Sequence, residues 1–136
     1  LAEFFYNNLE AGNPIKGFTD VSFCPLLVND IADLFYAMLG KGISGLYHVV
    51  SSQSSSKYDF GVAIANRFGF DPNLISPVSV AEAGLAAVRS PNLTLSVDKL
   101  IHDLGMVPPT LSPGIERFYT LYQQNYPQRV RDLCMA

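Results

Sequence analysis

The chain has 136 residues, of which 49% are hydrophobic and 15% charged, and its formal net charge is −3. This composition predicts a folded domain rather than a disordered segment. Its nine lysines and arginines are scattered, so they form neither a basic stripe for nucleic acid nor a polybasic run for an anionic membrane. The apolar runs are too short to span a bilayer, but the slightly positive mean hydropathy indicates a face that is buried against another body.

Two cysteines, Cys24 and Cys134, provide neither a disulfide framework nor a zinc site. Reduced thiols of this kind are typical of a cytoplasmic protein, which is the location we expect. The chain starts at Leu1, directly on a helical pattern. We therefore expect it to be a piece cut from a longer protein.

The first half of the chain is predicted to contain two helices and two strands. Apolar residues recur at helical spacing near the N-terminus and again in the segment VNDIADLFYAML. Short runs of β-forming residues mark the strands. The predicted elements are a helix at 1–11, a strand at 15–18, irregular or extended chain at 19–27, a helix at 28–39 and a strand at 46–50.

The segment GKGISG, residues 40–45, fits the G-x-G-x-x-G pattern of loops that bind a dinucleotide pyrophosphate. Such a loop must follow a strand and open a helix. Here the order is reversed, since a predicted helix precedes the glycines and a predicted strand follows them. We therefore predict that Gly40 and Gly42 end a helix in a turn with positive φ, where Lys41 suits the helix C-terminus.

Serines mark the starts of the helices in the second half. Ser55 or Ser56 is predicted to cap a helix that Gly69 ends, and Ser79 and Ser96 are predicted to cap two shorter helices. The remaining predicted elements are extended pieces at 75–78 and 93–95, a helix from Pro113 to about Asn125 that Ser112 caps, and a frayed tail at 127–136. The fold class is thus α/β, a small mixed lobe of helices with a few short strands, and residues 1–126 form that lobe. Because so small a sheet is marginal alone, the rest of a larger α/β fold is the expected partner.

No catalytic constellation stands out in the sequence. His48 is expected to be a buried, hydrogen-bonded histidine and His102 an exposed one, and no tyrosine has a lysine four residues later. Asp30 and Asp33 share a helix face and could bind a metal with a third oxygen, but acids in a first turn more often favour the helix dipole. We therefore predict no catalytic residue and no metal site in this chain.

Arg89 is the most informative charge, because it lies in a loop rich in proline, serine and asparagine. A guanidinium held there can bind a phosphate with two hydrogen bonds. A solvated loop arginine is the equally weighted alternative.

Four stretches in order resemble the extended short-chain dehydrogenase/reductases, and most closely the C-terminal half of the dTDP-4-dehydrorhamnose reductases. Together they cover nearly the whole chain. The stretches are FCPLLVNDIADLF, GISGLYHVVSSQSSSKYDFGVAIANRFG, RSPNLTLSVDKLIHDLGM and PPTLSPGIERFYTLY.

The resemblance implies a substrate-binding lobe that closes over a nucleotide-diphosphate sugar. It implies that an absent N-terminal Rossmann half binds NAD(P)H and carries the catalytic tyrosine and lysine, so that this chain alone binds no cofactor. Arg89 aligns with the arginine of the loop that faces the diphosphate, although Ser90 separates it from Pro91 here, and Asn92 shares that loop. Phe23 and Pro25 are implied to line the other side of the cleft.

Three functions follow as hypotheses from this resemblance. The first is the sugar-nucleotide-binding lobe of an NAD(P)H-dependent 4-keto-sugar-nucleotide reductase, inactive alone. The second is a non-catalytic regulatory module of the same fold, like the regulatory subunit of methionine adenosyltransferase. The third is another extended-family epimerase or dehydratase. The apolar composition also predicts an exposed face in this fragment, which a homo-oligomer could cover.

Overall fold

The computed structural model describes residues 1–84, 87 and 90–135. Within those residues the chain alternates helices with very short strands. The helices are α1 (Ala2–Glu10), α2 (Val28–Gly40), α3 (Lys57–Phe68), α4 (Asp98–Leu104), α5 (Leu111–Gln123) and α6 (Tyr126–Met135). None of them is long and apolar enough to cross a membrane, within the residues described.

The strands form two small sheets. In the first, β1 (Ile15–Phe18) pairs in parallel with β4 (Ile75–Val78). In the second, β2 (Ser22–Phe23) lies between β3 (Ser55–Ser56), which is antiparallel to it, and β5 (Asn92–Leu93), which is parallel. Short 3₁₀ turns at Pro72–Leu74 and Val80–Ala83 flank β4.

Helix α3 is the centre of the main hydrophobic core. Ile64 and Ala65 on this helix are fully buried. They pack in one cluster with Phe5 of α1, Ile75 of β4 and Ile115 of α5. A second, smaller cluster joins α2 to α4 through Leu34, Leu100 and Leu104.

The caps of α3 lie where the serine and glycine pattern predicts them. Ser56 Oγ accepts a 3.0 Å hydrogen bond from the backbone N–H of Asp59, and Gly69 ends the helix with φ +76°. Ser79 likewise accepts a hydrogen bond from the N–H of Ala81. These side-chain bonds satisfy backbone donors that a helix start leaves unpaired, which is why the boundaries could be predicted.

The GKGISG segment ends a helix, as predicted. Helix α2 continues through Gly40, and Gly42 has φ +65°. The N–H of Gly42 then donates to the carbonyl of Leu39, and the N–H of Ile43 donates to that of Met38. This backbone turn satisfies the last carbonyls of α2, and no helix opens after it as a pyrophosphate loop would require.

The predicted strand at 46–50 is wrong, because this stretch is irregular in the structure. No strand in the described part of the chain pairs with it, so its β-forming residues have no ladder to join. Side chains hold it instead: Lys99 Nζ donates to the carbonyl of Leu46, and His48 Nδ1 lies 3.1 Å from the carbonyl oxygen of Ser96. His48 is therefore hydrogen-bonded but exposed, which corrects its expected burial.

The sequence predicts a frayed tail at 127–136, and in the structure Tyr126–Met135 form helix α6. Asn125 turns the chain with φ +55°, and its carbonyl accepts a hydrogen bond from the N–H of Arg129. Helix α5 starts at Leu111, before Ser112, so that serine is not its cap.

Candidate functional site

A cavity of about 480 Å³ opens between α2, α5 and the second sheet. Its wall is almost entirely apolar, and no charged side chain lines it among the residues described. A concave apolar site of this volume is typical of small-molecule binding. The wall includes Phe23, Cys24, Pro25, Val28, Ile31, Val49, Val50, Phe60, Gly114, Ile115 and Phe118.

Phe23 and Pro25, which the family resemblance implies as cleft residues, both lie in this wall. Strand β2 fixes Phe23 between Ser55 of β3 and Leu93 of β5. Its ring packs edge-on against Phe60 of α3, with centroids 5.5 Å apart. The cavity therefore has one aromatic wall that the main core holds in place.

Asn92 lies on the strand beside that wall, paired in register with Ser22. The preceding carbonyl, of Pro91, accepts a 2.9 Å hydrogen bond from the N–H of Ser22. Asn92 Oδ1 accepts bonds from the backbone N–H and the hydroxyl of Thr94, at 3.0 and 2.7 Å. These bonds orient the side chain, whose amide nitrogen is the group that can donate to an anionic ligand.

Arg89, the remaining residue of the expected site, lies outside the described residues. The structure therefore brings together Phe23, Pro25 and the cavity, with Asn92 on the adjoining strand. The pairing of β2 with β5 sets this arrangement, because it ties the loop after Ser90 to the cavity wall.

Much of the cavity wall comes from α2 and α5, which the sequence predicts as helices but not as parts of a site. Val28 and Ile31 belong to α2, and Gly114, Ile115 and Phe118 belong to α5. Helical periodicity predicts that such residues face inward. It does not distinguish a packed core from a cavity wall.

Asp30 and Asp33 hold α2 against α5 through one arginine. Arg117 Nη1 donates to carboxylate oxygens of both residues, to Asp33 at 2.6 Å. The pKa of Arg117 is raised mainly by its hydrogen bond to Asp33 and, second, by its hydrogen bond to Asp30. The two carboxylates are thus used in an ion-pair network, and no group of metal-ligating side chains lies together in the described part of the chain.

The fold is similar to part of several solved protein structures. A solved dTDP-4-dehydrorhamnose reductase from Bacillus anthracis, in complex with NADP, superposes with a TM-score of 0.80 at 23% identity, over 88% of this chain and 42% of that one. An orthologue from Clostridium acetobutylicum gives 0.81 at 20% identity, over 90% and 44%. The chain therefore has the fold of a part of these solved reductases, less than half of each.

The family follows from the sequence comparison. The family described as the RmlD substrate binding domain matches residues 1–124, and the chain belongs to it. A probable low-salt glycan biosynthesis reductase, Agl14 of Haloferax volcanii, is 31% identical over 109 residues, which are 80% of this chain and 36% of that protein. The chain thus spans less than half the length of these relatives.

Proposed function

We propose that this chain is the sugar-nucleotide-binding lobe of an NAD(P)H-dependent reductase that acts on a 4-keto sugar nucleotide. The family match over residues 1–124 carries this proposal, together with the apolar cavity that lies within the matched region. Residues 1–126 form the lobe. Two free thiols, Cys24 and Cys134, support a reducing, cytoplasmic location as part of the same proposal.

In this proposal the loop 89–92 binds the diphosphate. Arg89 supplies the charged, two-pronged contact and the Asn92 amide a neutral one. Phe23 and Pro25 form the apolar wall on the other side of the ligand. These two roles are supported by the pairing of β2 with β5, which places the polar loop next to the apolar wall of the cavity.

The rest of the protein covers α2. Along this helix, Val28, Ala32, Phe35 and Leu39 are spaced to form one stripe, and all four are exposed, Leu39 at 78%. The opposite side of α2 packs on the core through Leu34. A helix that is apolar on both sides is normally buried on both, so the absent N-terminal half is the partner we assign to the stripe.

Reduction itself needs a hydride donor and a proton donor at the keto group. The relatives are more than twice as long as this chain, and one is described in complex with NADP. The one glycine-rich segment with a dinucleotide-loop pattern forms a helix end here, so it does not fit a pyrophosphate. We infer that the absent half binds NAD(P)H, and that this chain contributes substrate binding and no activity alone.

The test is calorimetric titration of the chain with dTDP and with a dTDP-sugar. We expect weak, saturable binding that Arg89→Ala abolishes, because a diphosphate loses its paired charge. Arg129→Ala on α6 is the matched control, since it removes the same charge far along the chain from the loop. Binding that Arg89→Ala leaves unchanged, or no binding at all, would contradict the proposed site.

Solution behaviour tests the α2 stripe. We expect the chain to bind a hydrophobic fluorescent dye or to self-associate, and Phe35→Ser with Leu39→Ser to reduce either effect without unfolding the chain. A monomer that binds no dye would argue against an uncovered interface.

A further inference from the structure

A second cavity, of about 420 Å³, lies between the start of α1 and strand β1. It shares only Leu1 with the cavity described above, within the linings described. Two lysines, Lys16 of β1 and Lys57 of α3, stand in an otherwise apolar wall. The remaining lining residues are Leu1, Phe4, Phe5, Pro14, Ile15 and Phe18.

Neither lysine has an anionic partner in the part of the chain that the structure describes. The ion pairs found there involve Arg67, Arg117 and His102. No acidic side chain lines this cavity either, among its described residues. Two lysines therefore contribute to the wall of an otherwise apolar cavity, in a protein whose net charge is −3.

The position of Lys57 is electrostatically unfavourable for the helix. It is the first residue of α3, where the partial positive charge of the helix dipole disfavours a cation. Its Nζ lies 5.8 Å from the centre of the Phe18 ring. Residues that are unfavourable for the local secondary structure occur most often at functional positions. An anion bound at Lys57 would offset its repulsion by the helix dipole.

Gly17 keeps the two elements together. A Cβ at this position would lie 2.9 Å from Tyr58 Cα, so only glycine lets β1 approach the start of α3 this closely. The approach sets Phe18 beside Lys57. Backbone packing thus fixes the positions from which the Phe18 ring and the Lys57 side chain extend.

We propose that this cavity binds an organic anion that carries a phosphate group on an aromatic ring. Lys16 and Lys57 hold the phosphate by charge-assisted hydrogen bonds, and the ring packs against Phe4 and Phe18. The cavity volume lies in the range of small-molecule sites. This proposal does not depend on the function proposed above, since it uses other residues.

The experiment is an NMR titration of the ¹⁵N-labelled chain with phenyl phosphate. We expect saturable shifts at the backbone amides of Lys16, Phe18 and Lys57. Inorganic phosphate, which lacks the ring, and benzyl alcohol, which lacks the charge, should each bind more weakly. Shifts centred elsewhere, or phosphate binding as tightly as phenyl phosphate, would overturn the proposal.

Variants separate the lysines from general charge effects. The double variant Lys16→Gln with Lys57→Gln should weaken phenyl phosphate binding by about fivefold or more, from the energy of one or two partly exposed charge contacts. Arg129→Gln, which removes a charge from α6, should leave it unchanged. Equal phenyl phosphate binding by the double variant and the control would refute the site. If the double variant fails to fold, the chemical-shift mapping on the unmodified chain still tests the proposal.

Discussion

Replacing Gly61 by alanine should destabilise the protein, although the same change at Gly114 should not. Both glycines lie inside helices, where alanine is ordinarily favoured by up to about 1 kcal/mol. A Cβ on Gly61 would lie only 2.3, 2.6 and 2.8 Å from three ring atoms of Phe5. That ring is fully buried, so it cannot turn away into solvent.

The magnitude follows from how far the ring must move. Ordinary carbon contacts lie at about 3.5–4.0 Å, so Phe5 must shift by more than 1 Å, and overpacking of this kind costs about 1–3 kcal/mol or more. Because three ring atoms are met at once, we take the upper end of that range, and after the propensity gain of up to about 1 kcal/mol we expect a net loss of about 2 kcal/mol for Gly61→Ala. Gly114 has no atom within 4 Å of its Cβ position, so Gly114→Ala should gain about 0.5 kcal/mol.

Thermal unfolding followed by circular dichroism measures both changes. At roughly 3–4 °C per kcal/mol for a domain of this size, the two midpoints should lie about 7–10 °C apart. Phe5→Leu should partly rescue Gly61→Ala, because it removes ring atoms that the new methyl meets. A Gly61→Ala variant as stable as the unmodified chain would refute the packing of α1 on α3.

Three further predictions concern hydrogen bonds and charges. Arg117→Gln should lower the free energy of unfolding in urea by about 2–3 kcal/mol, because it leaves the buried Asp30 carboxylate without its ion-pair partner. Arg67→Gln, which breaks an exposed ion pair, is the control, and an equal or larger loss of stability in that variant would contradict the prediction. Ser56→Ala should cost about 1 kcal/mol through the lost cap of α3, and an unchanged urea midpoint would count against it. The hydrogen bond from Arg67 lowers the pKa of Glu116, so that carboxylate stabilises the fold above its unfolded pKa and loses this contribution as pH falls through the lowered value. Acid unfolding of Arg67→Gln should therefore be less steep there than that of the unmodified chain, and identical acid profiles would argue against the pair.

Local signals predicted most helices well. Helix α3 begins after Ser56 and ends at Gly69, and α2 ends in the turn at Gly42. These boundaries are predictable because a cap depends only on backbone groups a few residues away. The αL turn at Asn125 gave no such signal, and α6 was missed for that reason.

The predicted strand at 46–50 failed for a different reason. The strand propensity of a residue depends on side-chain packing against neighbouring strands. In the described part of the chain no strand lies beside residues 46–50. The candidate site was likewise only partly predictable. Resemblance pointed to Phe23 and Pro25, but the part of the cavity wall that α5 forms depends on how that helix packs against α3, which no local sequence pattern predicts.

We propose that the cavity beside β2 and β5 belongs to a sugar-nucleotide site. Its most direct test is an NMR titration of the ¹⁵N-labelled chain with a dTDP-sugar. We expect saturable shifts at the amides of Phe23, Cys24 and Asn92, which share the cavity wall and the adjoining loop. Saturation with shifts confined to other parts of the chain, or no shifts at all, would contradict it.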